Sequence, residues 1–347
     1  LGLSSLPSKS ELDVYFDIES NPLLSKIPLH YLWGAAHEDN DEGFDCWWAH
    51  TEEEMKIAFE NFMDWTYSRW KNDSNMHVYH YGQFEINAMR ELMGYFGTRE
   101  KEVDDLLRNQ VFVDLFRVIK QSLCIGAERY GLKAVEPLFR EDRDTEVTSG
   151  LDSTVVYEVW SAERRDSRDH TDSDALKEIW DYNKDDCVSL ITLSDWLRAV
   201  QKEEGLTYLF KASKEREVEQ IEASSLLDEL VENLASREDK PHARILSNLC
   251  LYHKRENKPA YWRLFDRLES TDEDLVTDLD CLGDLIATGE KEKVTARSFE
   301  YSYTFDPNQD TKLKRGDQIK VKQDTGISVS ISEMDSSKGE IVLKSTS

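Results

Sequence analysis

Hydrophobic positions in the first 200 residues switch between two periods. From Leu12 to Glu19 they alternate. Val14, Phe16 and Ile18 fall on one face and Tyr15, Asp17 and Glu19 on the other, which predicts a strand ended by Ser20-Asn21-Pro22. Leu29 to Ala36 and Phe44 to Ala49 predict two more strands. Thr51-Glu-Glu-Glu54 reads as a capping box, and Met55, Phe59, Phe62 and Met63 carry a helix from it. Met76 to His80 predicts a short strand, and Gly82 leads into a helix from Phe84 to Phe96. Asp114 is placed to cap a helix through Phe116, Val118 and Ile119. A short helix or two is expected within Cys124 to Phe139, and a brief one from Val155 to Ser161. Residues 1–11 are polar and read as a loose lead-in.

The most informative periodicity is near position 180. Leu176, Ile179, Tyr182, Asp186, Ser189 and Leu193 recur at steps of three and four, so they share one side of a helix that runs to about Val200. That side is apolar except for Tyr182 and Asp186, which are one turn apart. A carboxylate on such a stripe needs a partner, because burying it bare is costly. The partner is either an arginine or helix N-terminus, or a cation shared with other acids.

Three strands, a helix, a strand and then helices predict an α/β (α+β mixed) fold, a mixed sheet flanked by helices rather than a doubly wound repeat. Leu206 to Ile286 has helical spacing. Val294 to Phe305, Gln318 to Lys322, Ile327 to Ser332 and Glu340 to Leu343 read as short strands of a small β-barrel-like domain. The expected division is therefore 1–205, 206–290 and 291–347.

Composition narrows the chemistry. The 43 Lys and Arg against 70 Asp and Glu leave a net charge of −27, which argues against broad electrostatic attraction to nucleic acid or anionic membrane. A nuclease survives that argument, because its metal ions offset an acidic site locally. No apolar run approaches the roughly 20 residues of a membrane span, so no membrane partner is expected. The five scattered cysteines, never in C-x-x-C spacing, fit reduced thiols and a cytoplasmic location. No Gly-rich phosphate loop is present, which argues against an NTPase within this chain.

Asp17 and Glu19, two apart on a strand, project from one face. The plain alternative is the polar face of an edge strand. Glu85 follows a glycine turn at a helix start, where a glutamate also suits the helix dipole. With Asp186 these make four carboxylates, and Tyr182 stands one turn from the last. Clustered carboxylates repel one another, and Mg²⁺ or Mn²⁺ relieves that repulsion. Two such ions about 3.5–4 Å apart can bind both the attacking and leaving oxygens of a phosphodiester. The Tyr182 hydroxyl is placed to orient or help deprotonate the attacking water.

Asp17-x-Glu19, Phe84-Glu85 and Tyr182-x-x-x-Asp186 together resemble the DEDDy branch of the RNase-H-like 3′–5′ exonucleases. Phe84-Glu85 departs from the Phe-Asp that most relatives carry. One branch with the glutamate is the RNase-H-like domain of predicted RecB-like nuclease–helicase fusions. Val113-Asp-Leu-Phe-Arg117, Gly131-Leu-Lys-Ala-Val-Glu136, Tyr157-Glu-Val-Trp160, Tyr182-Asn-Lys-Asp-Asp-Cys187 and His253-Lys-Arg-Glu-Asn-Lys-Pro-Ala-Tyr-Trp262 are similar to that branch too. The resemblance spans most of residues 12–268. It implies an RNase-H-like sheet and metal-dependent phosphodiester hydrolysis, with Asp17, Glu19, Glu85 and Asp186 as ligands of two ions and Tyr182 positioning water. It also implies single-stranded DNA or RNA as substrate and a helicase region in the full-length chain, opened by the small β-domain.

Other residues have two readings each. Arg129 and Lys133 either contact phosphate or are solvated helix charges. The segment Tyr252 to Leu268 carries five basic residues against two acidic ones. Its Lys254, Arg255, Lys258 and Trp262 can bind a strand, with Trp262 stacking on bases, or form a helix–turn segment packed on the nuclease. Asp185 reads as a surface acid, Asp114 as a cap, His77 and His80 as hydrogen-bonded bystanders, and Trp47-Trp48 as core plus rim. The leading expectation is a two-metal 3′–5′ exonuclease. The alternative is a catalytically weak or inactive RNase-H-like module that binds nucleic acid or scaffolds a helicase.

Overall fold

The alternating segment at Leu12 becomes the middle of a sheet. The computed structural model describes residues 2–24, 27–40, 43–126, 130–140, 150–163, 167–209, 221–237, 240, 242–295, 298–322 and 324–346. It divides into two units, Leu1–Glu215 and Arg216–Ser347.

The first unit holds β1 (Val14–Asn21), β2 (Leu29–Ala36), β3 (Phe44–Trp48), α1 (Glu52–Asn72), β4 (Val78–His80), α2 (Phe84–Phe96), α3 (Glu100–Arg108), β5 (Phe112–Asp114), α4 (Leu115–Ser122), α5 (Leu132–Val135), α6 (Gly150–Ala162) and α7 (Asp174–Glu203). The sheet order is β3-β2-β1-β4-β5, antiparallel from β3 to β1 and parallel from β1 to β5. This is the mixed sheet flanked by helices that the pattern predicts. β1 is internal, so both its edges are paired, and helices cover both its faces. Phe16 stacks on Phe62 of α1 at 4.1 Å. Tyr15 stacks on Tyr79 of β4 at 5.0 Å and shares its core with Leu190, Leu193 and Leu197 of α7.

Three expectations are corrected. Leu3 and Leu6 are buried, and Gln201 donates to both their carbonyls at 2.7 and 2.9 Å, so the lead-in is packed rather than loose. Two leucines in a polar stretch sufficed to dock it. The capping box at Thr51 is half made: Thr51 accepts from the Glu54 amide, but Glu54 reaches one residue further back, to the His50 amide at 2.7 Å. Helix α3 and strand β5 were not expected; the three residues of β5 are too few to reveal a period of two. β5 nevertheless completes the parallel half and sets the carboxyl ends of β1, β4 and β5 side by side.

The second unit contains α8 (Ile221–Ala235), α9 (Ala243–Cys250), α10 (Tyr252–Glu269), α11 (Asp272–Thr277), β6 (Ile286–Thr295), β7 (Ser298–Thr304), β8 (Gln318–Val321), β9 (Asp324–Asp335) and β10 (Glu340–Thr346). Its strands form an antiparallel sheet in the order β6-β7-β10-β9-β8. Phe305, Val329, Ile331, Ile341 and Leu343 form its core. Among the described residues the outer strands β6 and β8 do not pair with each other, so the sheet is open and not a closed barrel. The expected turn at Pro259 is absent: α10 runs through it. Flanking Lys, Ala, Arg and Leu residues are good helix formers and sustain the helix despite one lost donor.

Candidate metal centre

Three carboxylates converge where β1 passes under α7. Asp17, Glu19 and Asp186 each offer an oxygen, and these oxygens lie within 4.8 Å of one another. Glu19 is 5% exposed and Asp186 9%, while Asp17 is half-buried. Local backbone explains the aim of the two β1 acids. Asp17 pairs with Gly34 and Glu19 with Leu32, but Ser20 pairs with His30. Tyr31 is therefore the extra residue of a β-bulge, a device that re-aims side chains at sheet sites. The Tyr31 hydroxyl meets Ser153 Oγ of α6 at 3.0 Å, and Ser153 in turn donates to Glu19 Oε2. Because the single Ser153 proton goes to Glu19, Tyr31 donates to Ser153. On the other side, Asn183 Nδ2 donates to Asp17 Oδ2 at 2.8 Å.

The electrostatics match this crowding. Burial, followed by the charges of Glu19, Asp186 and Glu85, pushes the Asp17 carboxyl well above the usual range; Asn183 opposes the shift. Burial pushes Glu19 up to about 8, with Asp186 adding to it and Ser153 and Lys133 opposing it. Burial also raises Tyr182, and the Asp186, Glu19 and Asp17 charges add to that. Without a cation, these neighbours cannot all be ionised together cheaply. The donor set is all carboxylate, with no imidazole or thiolate in it, which suits a hard divalent ion such as Mg²⁺ or Mn²⁺. Cys187, next along α7, is turned away: its thiol donates to the Gly34 carbonyl at 3.4 Å.

Tyr182 lies beside the trio on α7. Lys133 Nζ of α5 donates to its hydroxyl at 2.9 Å. Glu85 stands apart from the oxygens that converge, although its charge reaches Asp17. It is 4% exposed, and its Oε2 lies 3.6 Å from His80 Nδ1. Among the described residues that oxygen makes no hydrogen bond. Asp114 holds the preceding loop: it caps α4 through the Phe116 and Arg117 amides and accepts from the Gly82 amide at 2.9 Å. Gly82 has φ of +95°, which a side chain would resist.

The remaining named residues scatter. Asp185 is not a free surface acid: it pairs with Arg140 at 2.9 Å, because α7 is flanked there by the segment after α5. His80 Nδ1 donates to the Gly82 carbonyl at 2.7 Å. His77 is buried beside Tyr79. Trp47 and Trp48 are both half-buried. Arg129 lies outside the described residues. Lys254, Arg255, Lys258 and Trp262 belong to α10 of the second unit, and the Lys254 side chain also lies outside the description. Asn183, Ser153 and Tyr31 were missed. One signal was available: Gly34, isolated in an otherwise apolar strand, marks a close approach.

A mixed five-stranded sheet in this order, with carboxylates from its central strand and from the last helix over it, defines an RNase-H-like domain. The chain matches the RNase_H_2 family over residues 14–198, and it belongs to the RNase H superfamily. No curated protein and no solved structure matches it. Among the described residues no helix is long and apolar enough to cross a membrane.

Proposed function

We propose that the protein is a metal-dependent 3′–5′ exonuclease that hydrolyses single-stranded DNA or RNA. The convergence of Asp17, Glu19 and Asp186 within 4.8 Å, with Tyr182 one helical turn from Asp186, carries this reading. Asp17, Glu19 and Asp186 would hold the divalent ions, and Glu85, with a buried oxygen lacking a hydrogen bond, is the further ligand. Such ions, bound there, supply charge stabilisation for the phosphodiester and a more acidic water. The raised Tyr182 phenol keeps its proton at neutral pH, so its role is to orient water by hydrogen bonding rather than to remove a proton. Lys133 fixes that hydroxyl by donating to its oxygen. Residues 1–205 form the nuclease region in this reading, and the later helices and β-sheet lead toward a helicase region of a longer chain.

The test is a time course on 5′-labelled DNA and RNA oligonucleotides with Mn²⁺ or EDTA. Stepwise shortening from the 3′ end with Mn²⁺ is expected, falling at least ~100-fold in Asp17→Ala and Asp186→Ala. Unchanged degradation by either variant overturns the assignment. One observation favours a second reading, the weak or inactive binding module: Glu85 faces His80 instead of joining the trio. Tight strand binding without any Mn²⁺-dependent cleavage would select it.

A further inference from the structure

Asn183 lies one position after Tyr182 and three before Asp186, yet faces the sheet rather than solvent. It is wholly buried. Its Nδ2 donates to Asp17 Oδ2 at 2.8 Å, and more weakly to the Asp17 carbonyl at 3.4 Å. Its Oδ1 makes no hydrogen bond among the described residues, although leaving a buried polar atom unpaired is costly. That oxygen is pressed over Gly34, the residue paired with Asp17 across the β1–β2 ladder. A methyl group on Gly34 would overlap Asn183 Oδ1 and come within 2.8 Å of its Cγ. The strand thus gives up a side chain, and the amide gives up one hydrogen bond, to keep one donor on one carboxylate oxygen. A purely structural asparagine would satisfy both ends of its amide.

We infer that Asn183 and Gly34 form a matched pair that orients the Asp17 carboxylate, holding Oδ2 so that Oδ1 is presented to a divalent cation. This inference rests on the metal-site reading above. Asn183 is a positioning residue: it touches neither cation nor substrate and acts through Asp17. The amide cannot turn over, because its oxygen would then meet the carboxylate. The donor also favours the ionised Asp17 that a cation needs.

The experiment compares wild type, Asn183→Ala, Gly34→Ala and the double variant in the full chain, each titrated with MnCl₂ by calorimetry well below its melting temperature. Thermal melts are recorded in EDTA. Wild type must bind Mn²⁺; if it does not, the metal-site reading fails first and separately. Given wild-type binding, Asn183→Ala and Gly34→Ala should each weaken Mn²⁺ about 10–100-fold, the usual range for a lost outer partner of a metal ligand. Gly34→Ala should also lower the melting temperature. Adding Asn183→Ala to it should restore part of that loss, since it removes the two atoms that such a methyl group would meet most closely. Mn²⁺ affinity should stay low in the double variant. Wild-type affinity in Asn183→Ala, or affinity that recovers with the melting temperature in the double variant, overturns the inference.

Discussion

At the scale of single residues, the site is a set of electrostatic costs that Ser153, Asn183 and Lys133 offset only in part. Glu19 shows the sign most clearly. Its carboxyl is held up to about 8 by burial first, against an ordinary value of 4.5. Below pH 4.5 it is protonated in folded and unfolded chains alike and costs nothing. Between pH 4.5 and 8 the unfolded chain releases a proton that the folded chain keeps, so stability is lost progressively across that window and is fully lost above 8. Glu19→Gln should therefore come close to wild type at pH 4.5 in EDTA and exceed it by several kcal/mol, up to ~5, at pH 9. Saturating Mn²⁺ should reverse the order at high pH, because only wild type gains binding energy. Urea midpoints in the four conditions check this; a wild type as stable as the variant at pH 9 in EDTA would contradict it. The place of Glu19 on one face with Asp17 was legible from strand alternation, and its role as a ligand only from the resemblance. Its keepers were not. Ser153 arrives from a helix 134 positions away, and Tyr31 turns toward it only because of a bulge, which no local period encodes.

At the scale of elements, α7 does two jobs along its length. Its first half carries Tyr182, Asn183 and Asp186 over the carboxyl end of β1. Its second half fastens the other end of the strand through Arg198. That guanidinium donates to Tyr79 at 2.7 Å and, more loosely, to Asp13 at 3.4 Å, and its Nε reaches the Pro7 carbonyl at 3.2 Å. Asp13 is buried, and burial pushes it up to about 6 even though Arg198 opposes the shift. Arg198→Met should leave that carboxylate to the Ser10 and His77 amides alone and cost about 2 kcal/mol at pH 8. The cost should shrink at pH 5, because Asp13 then takes up a proton. Denaturant midpoints at both pH values measure the difference, and an equal loss at both would exclude this account. Mn²⁺ affinity should not change. The apolar stripe from Leu176 to Leu193 made α7 legible as the organising helix, and the alternation from Val14 to Glu19 made β1 legible as its partner. What stayed hidden was β1's place in the interior of the sheet. That depends on β4, whose three residues carry too little pattern to declare which strand they join.

At the scale of the whole molecule, net charge and site chemistry pull in opposite directions. A chain at −27 repels a polyanion, so a strand must be drawn in by local positive charge. At the site that charge is Lys133 together with whatever ions the acids hold. The two units then differ in what a cation can do for them. The converging carboxylates all belong to Leu1–Glu215, while Arg216–Ser347 has a separate core around Ile331 and Ile341. Each unit buries its own apolar cluster, so each can melt in its own transition. A ligand that binds only the native form of one unit raises that unit's transition by RT ln(1 + [L]/Kd), or about 2.7 kcal/mol at a hundredfold excess over Kd, and leaves the other unit where it was. Scanning calorimetry of the full chain should therefore resolve two transitions, of which Mn²⁺ raises one. In Asp186→Ala both should stand still. Equal movement of both transitions with Mn²⁺ would mean that the units unfold together, or that the ion binds outside the trio. Loss of the shift in Asp186→Ala, with the second transition unchanged, would tie the stabilisation to the carboxylates that β1 and α7 bring together.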